Sequence, residues 1–387
     1  MNSHPEAILT AGLRLLRELL EISSPSGQEE KAVHHLVAWL QQHGFTAYRD
    51  AVGNAIGILQ PADHIQNPRE LLLLGHIDTV PGFPPVTERA GRLYGRGAVD
   101  AKGPLAAFAT AAALAGPQRG WRIVVAGAVE EEAVTSRGAR HLITCHQPHL
   151  VVIGEPTGWQ RVALGYKGRL AASVRCSRPL SHSAGPVATA AEQACTFWQR
   201  VQNLVAELNT GRDALWQQVQ ASLRSFASSN DGLKETAELQ LTFRLPADIA
   251  PETFEQLVAS LDGEMEFRFW GAEYAYLAPK NTPLVRAFLA AIRGHGGTPG
   301  FVLKTGTSDM NVVGPAWQCP ILAYGPGDSS LDHTPEEHVE IAEWLRGVAV
   351  LTDVIQQLTS TQALQPSFGD NGCARPVGEL VLTPVQP

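Results

Sequence analysis

A chain of 387 residues with 44% hydrophobic and 18% charged side chains can build one large domain or two ordinary ones, which excludes wholesale disorder. A formal net charge of −8 argues against a general nucleic-acid binder. No apolar run approaches the ~20 residues of a membrane-spanning helix, and Met1–Glu6 lacks the basic start and apolar stretch of a signal peptide.

In chain order, residues 6–22 and 29–43 have apolar side chains at helix spacing, separated by Ser23-Ser24-Pro25-Ser26-Gly27. Leu71–Leu74, Arg122–Val129 and Leu150–Ile153 are continuous apolar runs, as expected of strands buried on both faces. Gly103–Ala115 between them reads as an alanine-rich helix. This alternation predicts an α/β fold, a mixed sheet flanked by helices, over residues 1–164. From about Gly165 the pattern changes. Arg169–Cys176 alternates like a strand, Ser181–Gly185 is a turn, and a long helix is expected from Ala188 to about Leu208. Strand-like Glu238–Leu245 and Met265–Trp270 flank a further helix, Pro251–Leu261. The pattern fits an inserted α+β, ferredoxin-like domain over residues 165–277. The helix Thr282–Arg293 returns the chain to the first domain, which residues 278–358 complete. The segment 359–387 is rich in Pro, Gly, Gln and Thr and is expected to be poorly ordered.

Five segments carry imidazoles or carboxylates: Gly75-His76-Ile77-Asp78, Gly97-Ala98-Val99-Asp100, Glu130-Glu131-Glu132, Gly154-Glu155-Pro156 and Asp332-His333-Thr334-Pro335. Such groups are costly to bury unless a cation neutralises them. In an open α/β sheet they would gather at the carboxyl ends of the strands. Any one segment alone is more often a core histidine or a solvated acidic turn; all five in this order point to a two-metal hydrolase. His76 and Glu155 could hold one ion, Glu132 and His333 a second, with Asp100 bridging. Mixed N/O donors suit Zn²⁺, with Co²⁺ as a substitute. Glu131 is the candidate general base. Asp78 is expected to orient the His76 imidazole from outside the ligand set. Which acid of Glu130-Glu131-Glu132 does what stays open at this level.

Other residues are less specific. His182, in the Ser181–Gly185 turn, is either a plain turn histidine or a donor to a carbonyl oxyanion, delivered from a second subunit. Lys304, Thr307 and Ser308 lie in a glycine-bearing loop that could hold polar groups of a substrate. Arg244 is either a surface arginine or the partner of a substrate carboxylate. His34, His35, His141, His146 and His149 read as surface or packing residues. No GxSxG elbow and no phosphate-binding glycine loop is present. Five cysteines without a CxxC pair fit a reducing cytoplasm. Between Arg137 and Arg178, seven basic residues face a single acid, Glu155. That stretch is either scattered solvated charge or a docking face for an acidic partner.

The five segments, in this order, resemble the M20 metallopeptidases, a family that includes carboxypeptidase G2, succinyl-diaminopimelate desuccinylase, acetylornithine deacetylase and aminoacylase. The resemblance covers roughly residues 8–355. It implies two zinc ions, a general base at the first acid of Glu131-Glu132, and a dimerising lid domain. The family's lid histidine, matched here by His182, reaches the partner subunit's site. Gly97–Pro104, Lys304–Asn311 and Leu331–His338 look most like the hydrolases that release lysine or ornithine from the C-terminal glutamate side chain of a small acidic amino-group carrier protein. Release from free N-acetylornithine or N-acetyllysine, a dipeptidase, and a non-catalytic carrier-binding protein are the alternatives. The chain departs from the family in its proline-rich tail. Gly138, six residues after Glu132, matches the aminoacylase spacing.

Overall fold

The computed structural model describes residues 5–360. Four neighbouring strands, Trp121–Ala128, Arg69–His76, Leu150–Gly154 and Ile321–Ala323, run parallel at the centre of a nine-stranded sheet. Antiparallel strands extend it on both sides, Ala55–Leu59 and Thr46–Arg49 on one, Arg161–Tyr166 and Tyr276–Leu277 on the other. The sheet is therefore mixed, and helices flank it. The run Glu70–His76 is buried at every position, which explains its lack of alternation.

Helix Lys102–Ala115 is buried from Lys102 through Ala112, so alanine is its natural residue: the small side chain lets sheet and neighbouring helices close in. Gly75, Gly127 and Gly154 lie side by side in register beneath it. A Cβ at Gly154 would come within 2.9 Å of the Phe108 ring. The first and last helices, Pro5–Glu21 and Ile341–Ser360, pack on its outside, and the Trp344 indole donates to Gly103 O at 3.0 Å. Thr359 and Ser360 belong to this last helix; the rest of the tail expected to be poorly ordered lies outside the described residues.

The second unit is a four-stranded antiparallel sheet in the order Gln220–Asn230, Lys234–Leu245, Gly168–Pro179, Glu266–Glu273. With helices Ala190–Leu208 and Pro251–Ala259 this is the β-α-β-β-α-β, ferredoxin-like arrangement. Alternate residues Leu170, Ala172 and Val174, with Leu239, Leu241 and Phe243, form one face and pack with Phe197 and Phe254 into a separate core. Thr189 and Glu192 close a capping box at the first of these helices.

Strand Gln220–Asn230 was not expected from the sequence. From Ser222 onward all of it is exposed, so no period-two apolar signal marks it. Among the described residues no helix is long and apolar enough to cross a membrane.

Candidate active site and metal centre

The carboxyl ends of the parallel strands converge on one cleft. His76 closes its strand with the imidazole only 2% exposed; Nε2 lies 3.0 Å from Asp100 Oδ1 and Nδ1 lies 3.0 Å from the backbone oxygen of Asp78. The Asp78 carboxylate, fully buried, is 3.5 Å from Nδ1. Its stronger contacts go elsewhere: it accepts the amides of Glu131 (3.1 Å) and Glu132 (3.0 Å) and the Ser26 hydroxyl (2.7 Å). The backbone of Asp78 thus orients the imidazole, and its carboxylate holds the acidic turn.

Within that turn Glu130 adopts the left-handed region (φ +59°). Its carboxylate leaves the cleft to accept from Thr135 and pair with Arg137 at 2.9 Å. Glu131 and Glu132 line the cleft instead. His333, also left-handed (φ +63°), brings Nε2 within 2.9 Å of Glu132 Oε1 and 3.0 Å of Asp100 Oδ2.

Two ligand groups result, His76–Asp100–Glu155 and Asp100–Glu132–His333, each with its donor atoms within 4.8 Å of one another. Asp100 is common to both. The carboxyls repel. Burial pushes Glu131 and Glu155 well above the usual range, and neighbouring carboxylates add to it, with His76 pulling back. Burial disfavours protonated His76, but Glu131, Asp100 and Asp78 outweigh it and hold the imidazole well above its ordinary value. Hydrogen bonds to Asp100 and Glu132 raise His333 to about 10. Bound divalent cations would relieve this repulsion, and the N/O donor set fits them.

Four positions to which the sequence analysis gave no role matter here. Glu337, 1% exposed, accepts the amides of Gly97, Val99 and Asp100 at 2.9, 3.0 and 3.1 Å on one oxygen and pairs with Arg96 at 2.7 Å on the other. It holds the turn that presents Asp100. Gly97 in that turn has φ +90°, where a Cβ would also meet the Lys102 side chain at 2.9 Å. Tyr166 lines the cleft with a buried hydroxyl that has no hydrogen-bond partner among the described residues. Asp332 Oδ1 is likewise buried without a partner, and burial with the nearby Asp100 raises its carboxyl to about 8.

The cleft, about 570 Å³, has its other wall on the lid sheet. Arg244 lines it and donates to Thr307 Oγ1 at 2.7 Å; Lys304 lines it and donates to Pro156 O. Ser308 does not line it. Its hydroxyl is nearly buried and accepts the Met310 amide at 3.2 Å, capping helix Asp309–Trp317, so substrate contact is not its place. His182 is exposed in its lid turn, where Nδ1 accepts the Ala184 amide at 3.1 Å, and it is not in the lining of this chain's cleft. Nor does the basic stretch form one face. Arg137 and Arg140 are ion-paired with Glu130 and Glu273, and Lys167 is buried, donating to Gln218 O at 2.6 Å.

An α/β sheet with two carboxylate–imidazole groups at its strand ends, under an inserted ferredoxin-like lid, defines a metal-dependent hydrolase. Residues 72–357 match Peptidase family M20/M25/M40, and the chain belongs to that family. A [LysW]-lysine hydrolase of Deinococcus radiodurans is 44% identical over 368 residues, covering 92% of this chain and 99% of its own. Among solved structures, the M20 family metallo-carboxypeptidase Sso-CP2 from Sulfolobus solfataricus superposes with a TM-score of 0.73 at 17% identity, covering 90% of this chain and 99% of that one. The YXEP protein of Bacillus subtilis, a dinuclear metal-binding peptidase from the M20 family, gives 0.63 at 12% identity, covering 92% and 99%.

Proposed function

We propose that the protein hydrolyses an amide to release lysine, or ornithine, from the C-terminal glutamate side chain of a small acidic carrier protein. The observation that carries this reading is the 44% identity, nearly end to end, with a [LysW]-lysine hydrolase. The chain is a metal-dependent amidohydrolase. His76, Asp100 and Glu155 would hold one ion and Asp100, Glu132 and His333 the other. Zinc suits these donors, and cobalt can replace it. When bound, two such ions polarise an amide carbonyl and acidify a shared water.

The chain's own residues do the rest. Glu131 lines the cleft beside Glu132, where it can take a proton from water and hand it to the departing amine. Lys304 and Arg244 present positive charge to substrate carboxylates. His182 lies outside its own chain's cleft, which supports delivery from a second copy to the carbonyl oxygen. The edge strand Gln220–Asn230, with Leu223 and Phe226 exposed, is a fitting surface for that homodimer.

The test is amino-acid release by the zinc-loaded enzyme. An acidic carrier bearing γ-linked lysine or ornithine is offered beside free N-acetyllysine and N-acetylornithine. Release from the carrier is expected; release from the small substrates alone overturns the reading. Glu131→Gln should keep metal and fold and lose about 10²–10⁴-fold in kcat, and intact turnover would remove Glu131 as the base.

A further inference from the structure

Helix Glu30–Gln42 is entered through Glu29, which stands at its N-cap position, yet the Glu29 side chain makes no cap to its own helix. A carboxylate at a helix start is well placed to accept one of the free amides of the first turn. This one turns back instead. Glu29 Oε1 accepts the Gly27 amide at 2.8 Å and the Glu130 amide, 101 positions away, at 3.2 Å. Glu29 is 5% exposed, and no cation pairs with it among the described residues, so two amides alone offset its burial.

Glu29 completes a series. The amides of Glu130, Glu131 and Glu132 are held in succession by Glu29 Oε1, Asp78 Oδ1 and Asp78 Oδ2, at 3.2, 3.1 and 3.0 Å. Asp78 fixes the second and the third. The first belongs to the left-handed residue, Glu130, and is held by Glu29. Left-handed backbone is unfavourable for a glutamate and persists only where its surroundings hold it. That kink sorts the triplet: the Glu130 carboxylate points away to Thr135 and Arg137, and the next two line the cleft.

The loop that carries Glu29 stands on a firm footing. Ser24 Oγ donates to Ile77 O at 2.9 Å, and Ser24 O accepts the Thr79 amide at 3.0 Å. Ser26 donates to Asp78. Lys102 Nζ donates to Leu19 O (2.9 Å) and Ile22 O (2.7 Å), tying the end of helix Pro5–Glu21 to the start of helix Lys102–Ala115. The loop is thus joined to the end of the His76 strand and to the helix after Asp100, the frame that also places those two side chains.

Resting on the function proposed above, we propose that Glu29 is a positioning residue for the general base: by holding the Glu130 amide it fixes the left-handed kink that turns Glu130 out and sets Glu131 into the cleft. Asp78 alone leaves the kinked residue's own amide unheld. Without Glu29 the turn can relax to ordinary backbone at Glu130, and the Glu131 carboxylate then leaves its place over the metal floor.

The full zinc-loaded chain is compared with Glu29→Ala and Glu29→Gln at equal concentrations of folded protein. Glu29→Ala should lose about tenfold to a hundredfold in kcat, the scale of a catalytic group misplaced by about an ångström, with KM changed less than about twofold. Glu29→Gln keeps an acceptor oxygen and should restore most of the loss. A purely structural role would lower the yield of folded enzyme and leave its kcat unchanged. Where Glu29→Ala does not fold, Glu29→Asp carries the same test: aspartate suits an N-cap, and one methylene fewer withdraws the carboxylate from Glu130. Hydrogen exchange in the metal-free chain, read by mass spectrometry over residues 128–135, needs no substrate. It should quicken about tenfold in Glu29→Ala and hardly change in Glu29→Gln. Unchanged kcat, or unchanged exchange, in Glu29→Ala overturns the proposal, as does a Glu29→Gln protein as slow as Glu29→Ala. A chain that frees no lysine from the carrier, yet shows this exchange pattern and the same kcat loss on N-acetyllysine, would sink the proposed function and leave the role of Glu29 standing.

Discussion

Glu337→Gln is the most searching perturbation of the site, because Glu337 touches no proposed ligand atom and yet holds the turn that presents Asp100. Glutamine keeps one oxygen for the amides of Gly97, Val99 and Asp100 and places an NH₂ where the other oxygen met Arg96 at 2.7 Å. Arg96 is 6% exposed, so its charge is left buried and unpaired. Breaking such a pair costs about 3–5 kcal/mol. Burial pushes the Glu337 carboxyl up while the amides and Arg96 pull it down, which favours the lower end, about 3 kcal/mol. Misplacing the Asp100 carboxylate should also weaken metal binding about 10–100-fold, the usual effect of losing a group that orients a ligand. Urea unfolding in chelator reads the first quantity, and competition against a metal-sensitive dye reads the second. The double variant Glu337→Gln with Arg96→Met should recover part of the stability and none of the metal affinity. A Glu337→Gln protein with unchanged metal affinity would refute the idea that this carboxylate positions Asp100.

Two other changes test the structure away from the ligands. Glu70, 1% exposed, meets Arg122 and His146; burial raises its pKa, but these two partners outweigh burial and lower it. A carboxyl with a lowered folded pKa stabilises fully above its unfolded value of about 4.3 and loses that contribution as pH falls through the folded value. Glu70→Gln should therefore cost about 1–3 kcal/mol at pH 7, with the gap closing in acid unfolding curves; a gap that widens in acid would contradict the sign. Tyr166→Phe removes a buried hydroxyl with no partner among the described residues, so the melting temperature of the metal-free protein should hold or rise, and a fall of several degrees would reveal a bond that the structure does not contain.

Much of the site was legible because its residues sit at points the sequence marks. His76, Glu131, Glu132 and Glu155 follow unbroken apolar strands, and a parallel strand buried on both faces announces where its carboxyl end lies. The acidic triplet could not be divided from sequence, since the division depends on the left-handed backbone at Glu130 and on Asp78 holding the next two amides. Glu337 was silent for another reason: its three amide contacts lie some 240 positions earlier in the chain, and such long-range closure leaves no periodic trace. Strand Gln220–Asn230 was missed because an exposed edge needs no apolar alternation. The basic stretch Arg137–Arg178 misled because adjacency in sequence is not adjacency in space. Only Arg169 of that set lines the cleft, and it joins Arg224 and Arg244 from other strands.

The lid arginines and the metal floor are electrically one system. Asp100, Glu131, Glu132, Glu155 and Asp332 face Arg169, Arg224, Arg244 and Lys304 across the same cleft. Two divalent ions held by this floor would add positive charge to the cleft. A protein of net charge −8 can then attract an acidic peptide locally, provided the floor is loaded. An acidic glutamate peptide should therefore bind the zinc-loaded chain more tightly than the chelated one, by about tenfold or more at low salt, with the difference shrinking as salt shortens the Debye length from about 30 Å at 0.01 M to about 8 Å at 0.15 M. Linkage requires the reverse as well: the peptide must tighten zinc by the same factor. Equal peptide affinity with and without metal would mean that the lid arginines act alone and that the two walls of the cleft are uncoupled.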